Sequence, residues 1–160
     1  MGWSIAELKA EADARACARL MASSEPWVTL GRSYEASLAI IQDRTREVYL
    51  LWDEGVIAGF IILCVTGPFV GYIQTICIHP QRRGQGWGSR LVAFAEQRIL
   101  REFPNVFLCV SSFNRDAQRL YERLGYSVVG ELTDYIVQGH SEILLRKTVG
   151  AIADFRPAAT

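Results

Sequence analysis

A chain of 160 residues suits one domain and is long enough to bury a hydrophobic core. Half of it is apolar and 17 Lys/Arg balance 17 Asp/Glu, which excludes an intrinsically disordered chain and a nucleic-acid binder with a large basic face. No apolar run reaches the roughly 18 residues of a membrane span, and Met1-Gly2-Trp3-Ser4-Ile5-Ala6 has neither a signal-peptide core nor the hydroxyl that myristoylation prefers; the expected location is the cytoplasm, with no membrane or nucleic acid as partner.

From the N-terminus, Ile5, Leu8, Ala12, Ala16 and Leu20 make a helical stripe, which predicts a first helix over 5–21 with Ser4 as cap and Glu7 closing a capping box. Pro26 keeps Glu25 out of helical geometry, and a second helix follows over 34–41. Residues 48–52 and 56–65 are β-branched and aromatic runs joined by Asp53-Glu54-Gly55, a hairpin signal. Gly67-Pro68 then precedes a strand over 71–78, after which helix (88–102), strand (106–111), helix (115–124) and strand (126–129) alternate as in βαβ crossovers. A last hairpin is predicted from 134–137 and 141–145 across Gln138-Gly139-His140, so the sheet is mixed; its exposed edge makes a homodimer an expectation. The Ala/Pro-containing residues 150–160 read as a flexible tail, leaving 1–149 as the domain.

Cys17, Cys64, Cys77 and Cys109 lie inside predicted elements with no C-x-x-C pair, so they read as small buried residues, and no metal site is expected. Residues 1–70 carry a net charge of −3 and residues 71–160 one of +3, which suits an anionic ligand on the basic half and a cationic one on the acidic half.

The most specific feature is Arg82-Arg83-Gly84-Gln85-Gly86-Trp87-Gly88, placed between a strand and a helix. Glycine allows positive φ and close backbone approach, while the unpaired N–H groups and dipole of a helix start favour an anion; the ligand should carry phosphate or pyrophosphate. A P-loop is excluded because the segment ends Trp87-Gly88-Ser89 without a lysine, and a dinucleotide fingerprint because Ser89 and Leu91 stand where its last glycine belongs. About 30 residues on comes Asn114-Arg115-Asp116-Ala117-Gln118-Arg119-Leu120-Tyr121-Glu122-Arg123-Leu124-Gly125-Tyr126.

The two segments together resemble the GCN5-related N-acetyltransferase (GNAT) family, the first its Arg/Gln-x-x-Gly-x-Gly pyrophosphate loop and the second its Asn-x-x-Ala-x-x-Leu/Phe-Tyr-x-x-x-Gly-Phe/Tyr segment. The resemblance implies an α/β fold of α+β type: a mixed, mostly antiparallel twisted sheet with central splayed parallel strands, flanked by helices. It implies an acetyl-CoA-dependent N-acetyltransferase that passes acetyl directly to a primary amine through a tetrahedral intermediate, a small amine being favoured over a protein lysine or N-terminus. The alternative is a non-catalytic acyl-CoA sensor.

By that resemblance, Arg83, Gly84, Gln85, Gly86, Trp87, Gly88 and Ser89 hold the pyrophosphate of coenzyme A. Ile76, Cys77 and Ile78 offer main-chain groups to the pantetheine arm as a neighbouring strand would. Asn114 caps its helix and reaches the cofactor, and Tyr121 is the general acid for the departing thiolate. His79, at the strand end, reads as structural. A central-strand glutamate common in the family is absent, Gln74 being the polar residue there, so the base is open among Glu25, Glu35, Asp134, His140 and Glu142, with Glu25 preferred. Trp27, Tyr34 and Tyr135 are candidates for an aromatic wall around a cationic amine.

Overall fold

Alternating β-branched and aromatic runs, punctuated by turn residues, give seven strands and four α-helices in the computed structural model, which describes residues 2–159. In chain order these are β1 (Trp3–Glu7), α1 (Glu11–Ala22), α2 (Tyr34–Ile41), β2 (Glu47–Asp53), β3 (Val56–Cys64), β4 (Tyr72–Ile78), α3 (Trp87–Ile99), β5 (Asn105–Ser111), α4 (Arg115–Arg123), β6 (Ser127–Leu132) and β7 (Glu142–Thr148). The sheet order is β1-β2-β3-β4-β5-β7-β6. The pairs β1–β2, β2–β3, β5–β7 and β6–β7 are antiparallel, whereas β4–β5 is parallel with a register covering Tyr72↔Phe107 and Ile73↔Leu108. The mixed, mostly antiparallel sheet with a central parallel pair is therefore as expected. No helix among the described residues is long and apolar enough to cross a membrane.

The chain divides into two compact units, one running up to Leu63 and including Thr75–Val92, the other made of Cys64–Gln74 and the chain from Ala93 onward. In the first, Ala14, Cys17, Ala18 and Met21 on α1 pack with Trp27, Ile41, Val48, Leu50, Phe60, Ile62 and Cys77. Fully burying a side chain the size of Met21 contributes about 1.5–3 kcal/mol. Here the predicted helix over 5–21 is corrected. Residues 3–7 form β1, paired with β2 from Trp3↔Asp53 to Glu7↔Tyr49, and α1 starts only at Glu11 behind Ala10, without a side-chain cap. Pairing with β2 satisfies the backbone groups of 3–7 on the side facing the sheet and leaves the outer row to solvent, and the later start moves the buried stripe to Ala14, Cys17, Ala18 and Met21. The second predicted helix has its predicted bounds, with Ser33 Oγ accepting from Ala36 N–H at 3.1 Å.

In the second unit, β5 pairs with β7 from Asn105↔Thr148 to Ser111↔Glu142, and β6 pairs with β7 across a register shift between Val128 and Gly130. The predicted hairpin of 134–137 with 141–145 is corrected. The strands are β6 and β7, and residues 133–141 connect them. Asp134 takes φ +52° and its Oδ1 accepts from Gly139 N–H at 2.7 Å, so the segment closes as a turn instead of extending. Within residues 150–159, Ile152–Asp154 form one 3-10 turn and Ala158 N–H donates to Arg101 O at 2.9 Å.

Candidate functional site

The glycine loop is built in the first unit by the end of β4. His79 N–H donates to Ala58 O at 2.8 Å, and His79 Nδ1 accepts from Gln81 N–H at 3.3 Å, opening a single 3-10 turn at Pro80–Arg82. Both ring and backbone of His79 thus hold the turn, in keeping with a structural histidine. Gly84 (φ +73°) and Gly86 (φ +82°) then reverse the chain into α3. The first backbone bond here runs from Arg90 N–H to Gly86 O at 3.2 Å. The N–H groups of Trp87, Gly88 and Ser89 thus stand ahead of the helical ladder, at the positive end of the dipole. A Cβ placed on Gly84 or Gly86 meets nothing within 4 Å, so the space above the loop is open to a ligand oxygen. These residues fit a pyrophosphate.

Three guanidinium groups surround the loop, each held differently. Arg82 pairs with Asp53 at 2.6 Å, and Arg83 Nε donates to Ile78 O at 3.3 Å. Arg90 lies 4.5 Å from the Trp3 ring and 4.9 Å from the Trp87 ring, and the two indoles meet edge-on at 6.0 Å. Gln85 donates to Gln81 O at 3.3 Å and accepts from Trp87 Nε1 at 3.4 Å. The Trp87 side chain therefore packs against Trp3 and Arg90. The sequence alone hid this stack, because Trp3 precedes what reads as a helix and only the β1–β2 register carries it there.

On β4, Cys77 is 1% exposed while Ile76 and Ile78 are half-buried. Burial pushes the Cys77 thiol up to about 12, against smaller opposing effects from the Ser24 hydrogen bond and Arg83, so it is no thiolate nucleophile at neutral pH. Glu25 is exposed, and its Oε2 accepts from Thr29 N–H at 3.2 Å. Trp27 is buried in the core with Tyr34 packed against it, so Trp27 serves the packing of this unit.

The second unit carries the other motif. Asn114 Oδ1 accepts from Ala117 N–H at 3.3 Å as the cap of α4, and Gln118 Nε2 donates to the carbonyls of Ser111 and Ser112 at 3.1 and 3.0 Å, tying α4 to the end of β5. Tyr121 is buried and meets the Tyr126 ring edge-on at 6.0 Å. Burial pushes its phenol up to about 12, so its proton is held throughout the neutral range. Gln74 Oε1 accepts from Cys64 Sγ at 3.5 Å. Among the other base candidates, Glu35 lies in the first turn of α2, Asp134 is spent on its turn, and His140 lies 5.0 Å from the Phe113 ring. Glu142 is 4% exposed and accepts from Ser111 Oγ at 2.6 Å. That pairing, 31 residues apart in sequence, could be found only through the β5–β7 register.

Residues 10–126 match the family described as Acetyltransferase (GNAT) family. The chain is a GNAT acetyltransferase. Blasticidin-S acetyltransferase of Streptomyces morookaense is 28% identical over 111 residues, 68% of this chain and 81% of that protein. Two solved structures share the fold. The ribosomal-protein-S18-alanine N-acetyltransferase from Escherichia coli has a TM-score of 0.75 at 20% identity, with 96% of this chain and 99% of that one covered. An aminoglycoside 6'-N-acetyltransferase complexed with coenzyme A has a TM-score of 0.75 at 18% identity and the same coverage. That aminoglycoside acetyltransferase binds coenzyme A, and the relatives named here act on chemically different acceptors.

Proposed function

We propose that this GNAT acetyltransferase uses acetyl-CoA to acetylate a primary amine, a small molecule ahead of a protein lysine or N-terminus. The observation that carries the reading is the cradle: two left-handed glycines with open space above them, and the amides of Trp87, Gly88 and Ser89 preceding the first helical bond. In this reading the backbone of Arg83 to Gly88, with Ser89, binds the pyrophosphate. The main chain of Ile76, Cys77 and Ile78 orients the pantetheine arm, consistent with a β4–β5 register that covers only Tyr72↔Phe107 and Ile73↔Leu108. Asn114 orients the cofactor from the cap of α4. Tyr121 donates its proton to the departing thiolate, and its buried, protonated phenol suits a donor.

An alkylamine with pKa about 10.4 is protonated at pH 7, and freeing its lone pair costs roughly 4.6 kcal/mol. A proton acceptor should therefore assist. Glu25 is the sequence's candidate, and the Glu25→Gln variant tests it through the acidic limb of the kcat/KM profile. Thiol release from acetyl-CoA, measured over polyamines, aminoglycosides, amino acids and lysine or N-terminal peptides, tests the whole reading. Turnover above the acceptor-free blank with one class identifies the acceptor. Silence across the panel with coenzyme A binding intact would favour the second reading, an acyl-CoA sensor, which the uncharged Gln74 on the central strand supports.

A further inference from the structure

Strand register places Tyr72, Gln74, Cys109, Ser111 and Glu142 on one face of the sheet in the second unit. Tyr72 lies opposite Phe107, so Gln74, two residues on, shares its side; Phe107, Cys109 and Ser111 alternate along β5 on that side, and Ser111 lies opposite Glu142. This face is half-buried at Tyr72, Gln74, Phe107 and Cys109, whereas the opposite one, with Ile73, Val106, Leu108 and Val110, is closed. A carboxylate at the end of such a face is costly to bury and is held in place by a short hydrogen bond, Ser111 Oγ to Glu142 Oε1 at 2.6 Å. The Tyr72 hydroxyl and the Cys109 thiol are neighbours on the same face, and both feel the charge of Glu142. Asp134, Tyr135 and His140 are the titratable groups of the adjoining connection. Gln74 cannot take up a proton, and both thiol and phenol are shifted further toward their protonated forms by burial.

We propose that Ser111 and Glu142 form the proton-accepting pair of the acetyl transfer, Ser111 Oγ receiving a proton from the acceptor ammonium while its own passes to Glu142. The proposal rests on the acetyl-transfer reading above and narrows the acceptor to a cationic alkylamine. The ammonium gives up one proton through Ser111 to Glu142 and then to solvent. The freed lone pair forms the C–N bond, the C–S bond breaks with its electrons going to sulfur, the sulfur takes the Tyr121 proton, and the second nitrogen proton restores Tyr121. Glu142 is 4% and Ser111 2% exposed, so Glu142 acts without touching substrate and the ammonium proton reaches Ser111 Oγ through a bridging water.

The test compares the alkylamine that the wild type acetylates fastest with the alkoxyamine of the same carbon skeleton, which is neutral at pH 7 and needs no proton removed before attack. Glu142→Gln should lower kcat/KM for the alkylamine about 100-fold or more, the ordinary size of a general-base contribution, and that for the alkoxyamine less than about tenfold. Its alkylamine rate should keep climbing with pH where the wild type levels off, and Ser111→Ala should show the same discrimination at smaller size. Equal losses on both amines, or no loss, would overturn the proposal and leave the enzyme reading standing; so would discrimination found in Glu25→Gln instead. Absence of any wild-type turnover would overturn both. If Glu142→Gln does not fold, Glu142→Asp and Ser111→Ala carry the same comparison.

Discussion

Replacing Gly86 by alanine separates what the loop needs for folding from what it needs for binding. At φ +82° an L-residue costs about 1–2 kcal/mol, and because an added Cβ meets nothing within 4 Å, no steric term adds to this in the free protein. For a chain of this length about 1 kcal/mol corresponds to a fall in Tm of roughly 2–4 °C, so Gly86→Ala should melt roughly 2–8 °C lower and still fold. The bound state differs, because the new methyl group occupies the space assigned to the pyrophosphate. Losing one or two charge-assisted bonds at about 1.5–3 kcal/mol each should weaken coenzyme A binding by at least about tenfold. Thermal unfolding followed by circular dichroism gives the first quantity and titration calorimetry with coenzyme A the second. An unchanged Kd alongside the lowered Tm would refute the cradle, since the space above Gly86 would then be irrelevant to the ligand.

The other predictions concern packing, the acid and the thiols. Gly59→Ala would place Cβ 2.5 Å from Cys77 O and 2.9 Å from Ile78 Cδ1, so β3 and β4 must separate by roughly half an ångström; an overpacking cost of about 1–3 kcal/mol should appear in denaturant unfolding. Tyr121→Phe should lower kcat by about 100-fold or more where chemistry limits the rate and leave KM for acetyl-CoA nearly unchanged; an unaltered kcat would remove Tyr121 as the acid. Burial raises the thiols of Cys17 and Cys77 from 9.0 to about 12 and the Tyr121 phenol from 10.0 to about 12. The protonated forms are the ones the fold favours. Their stabilisation is therefore fully present below about pH 9 and lost progressively as pH rises from about 9 to 12, with Tyr121 alone contributing about 3 kcal/mol of the loss. Urea titrations at stepped pH check the sign, and native Cys17 and Cys77 should label with thiol reagents far more slowly at pH 8 than after unfolding.

The loop and the Asn114–Tyr126 segment were legible because their chemistry is local. Left-handed glycines, a helix start and an Asn cap need no information from the rest of the chain. The burial of Ala14, Ala18 and Met21 was missed because the backbone of residues 3–7 could pair as a strand as well as coil into a helix, and the edge of β2, more than 40 residues away, decided between them. The last hairpin was misplaced for the opposite reason: one Asp134 side chain closed a turn where Tyr135 to Val137 suggested a strand. Glu142 could be named as a candidate but not ranked, since its burial and its Ser111 partner exist only in the β5–β7 register.

The Trp3–Trp87 contact also sets an intrinsic fluorophore pair beside the glycine loop. Two of the four tryptophans lie 6.0 Å apart with Arg90 against both rings, while Trp27 is sequestered in the core. An anion arriving on the amides beside Trp87 changes the field on that indole pair, so intrinsic emission gives a label-free signal of loop occupancy, and Trp3→Phe with Trp87→Phe supplies its blank.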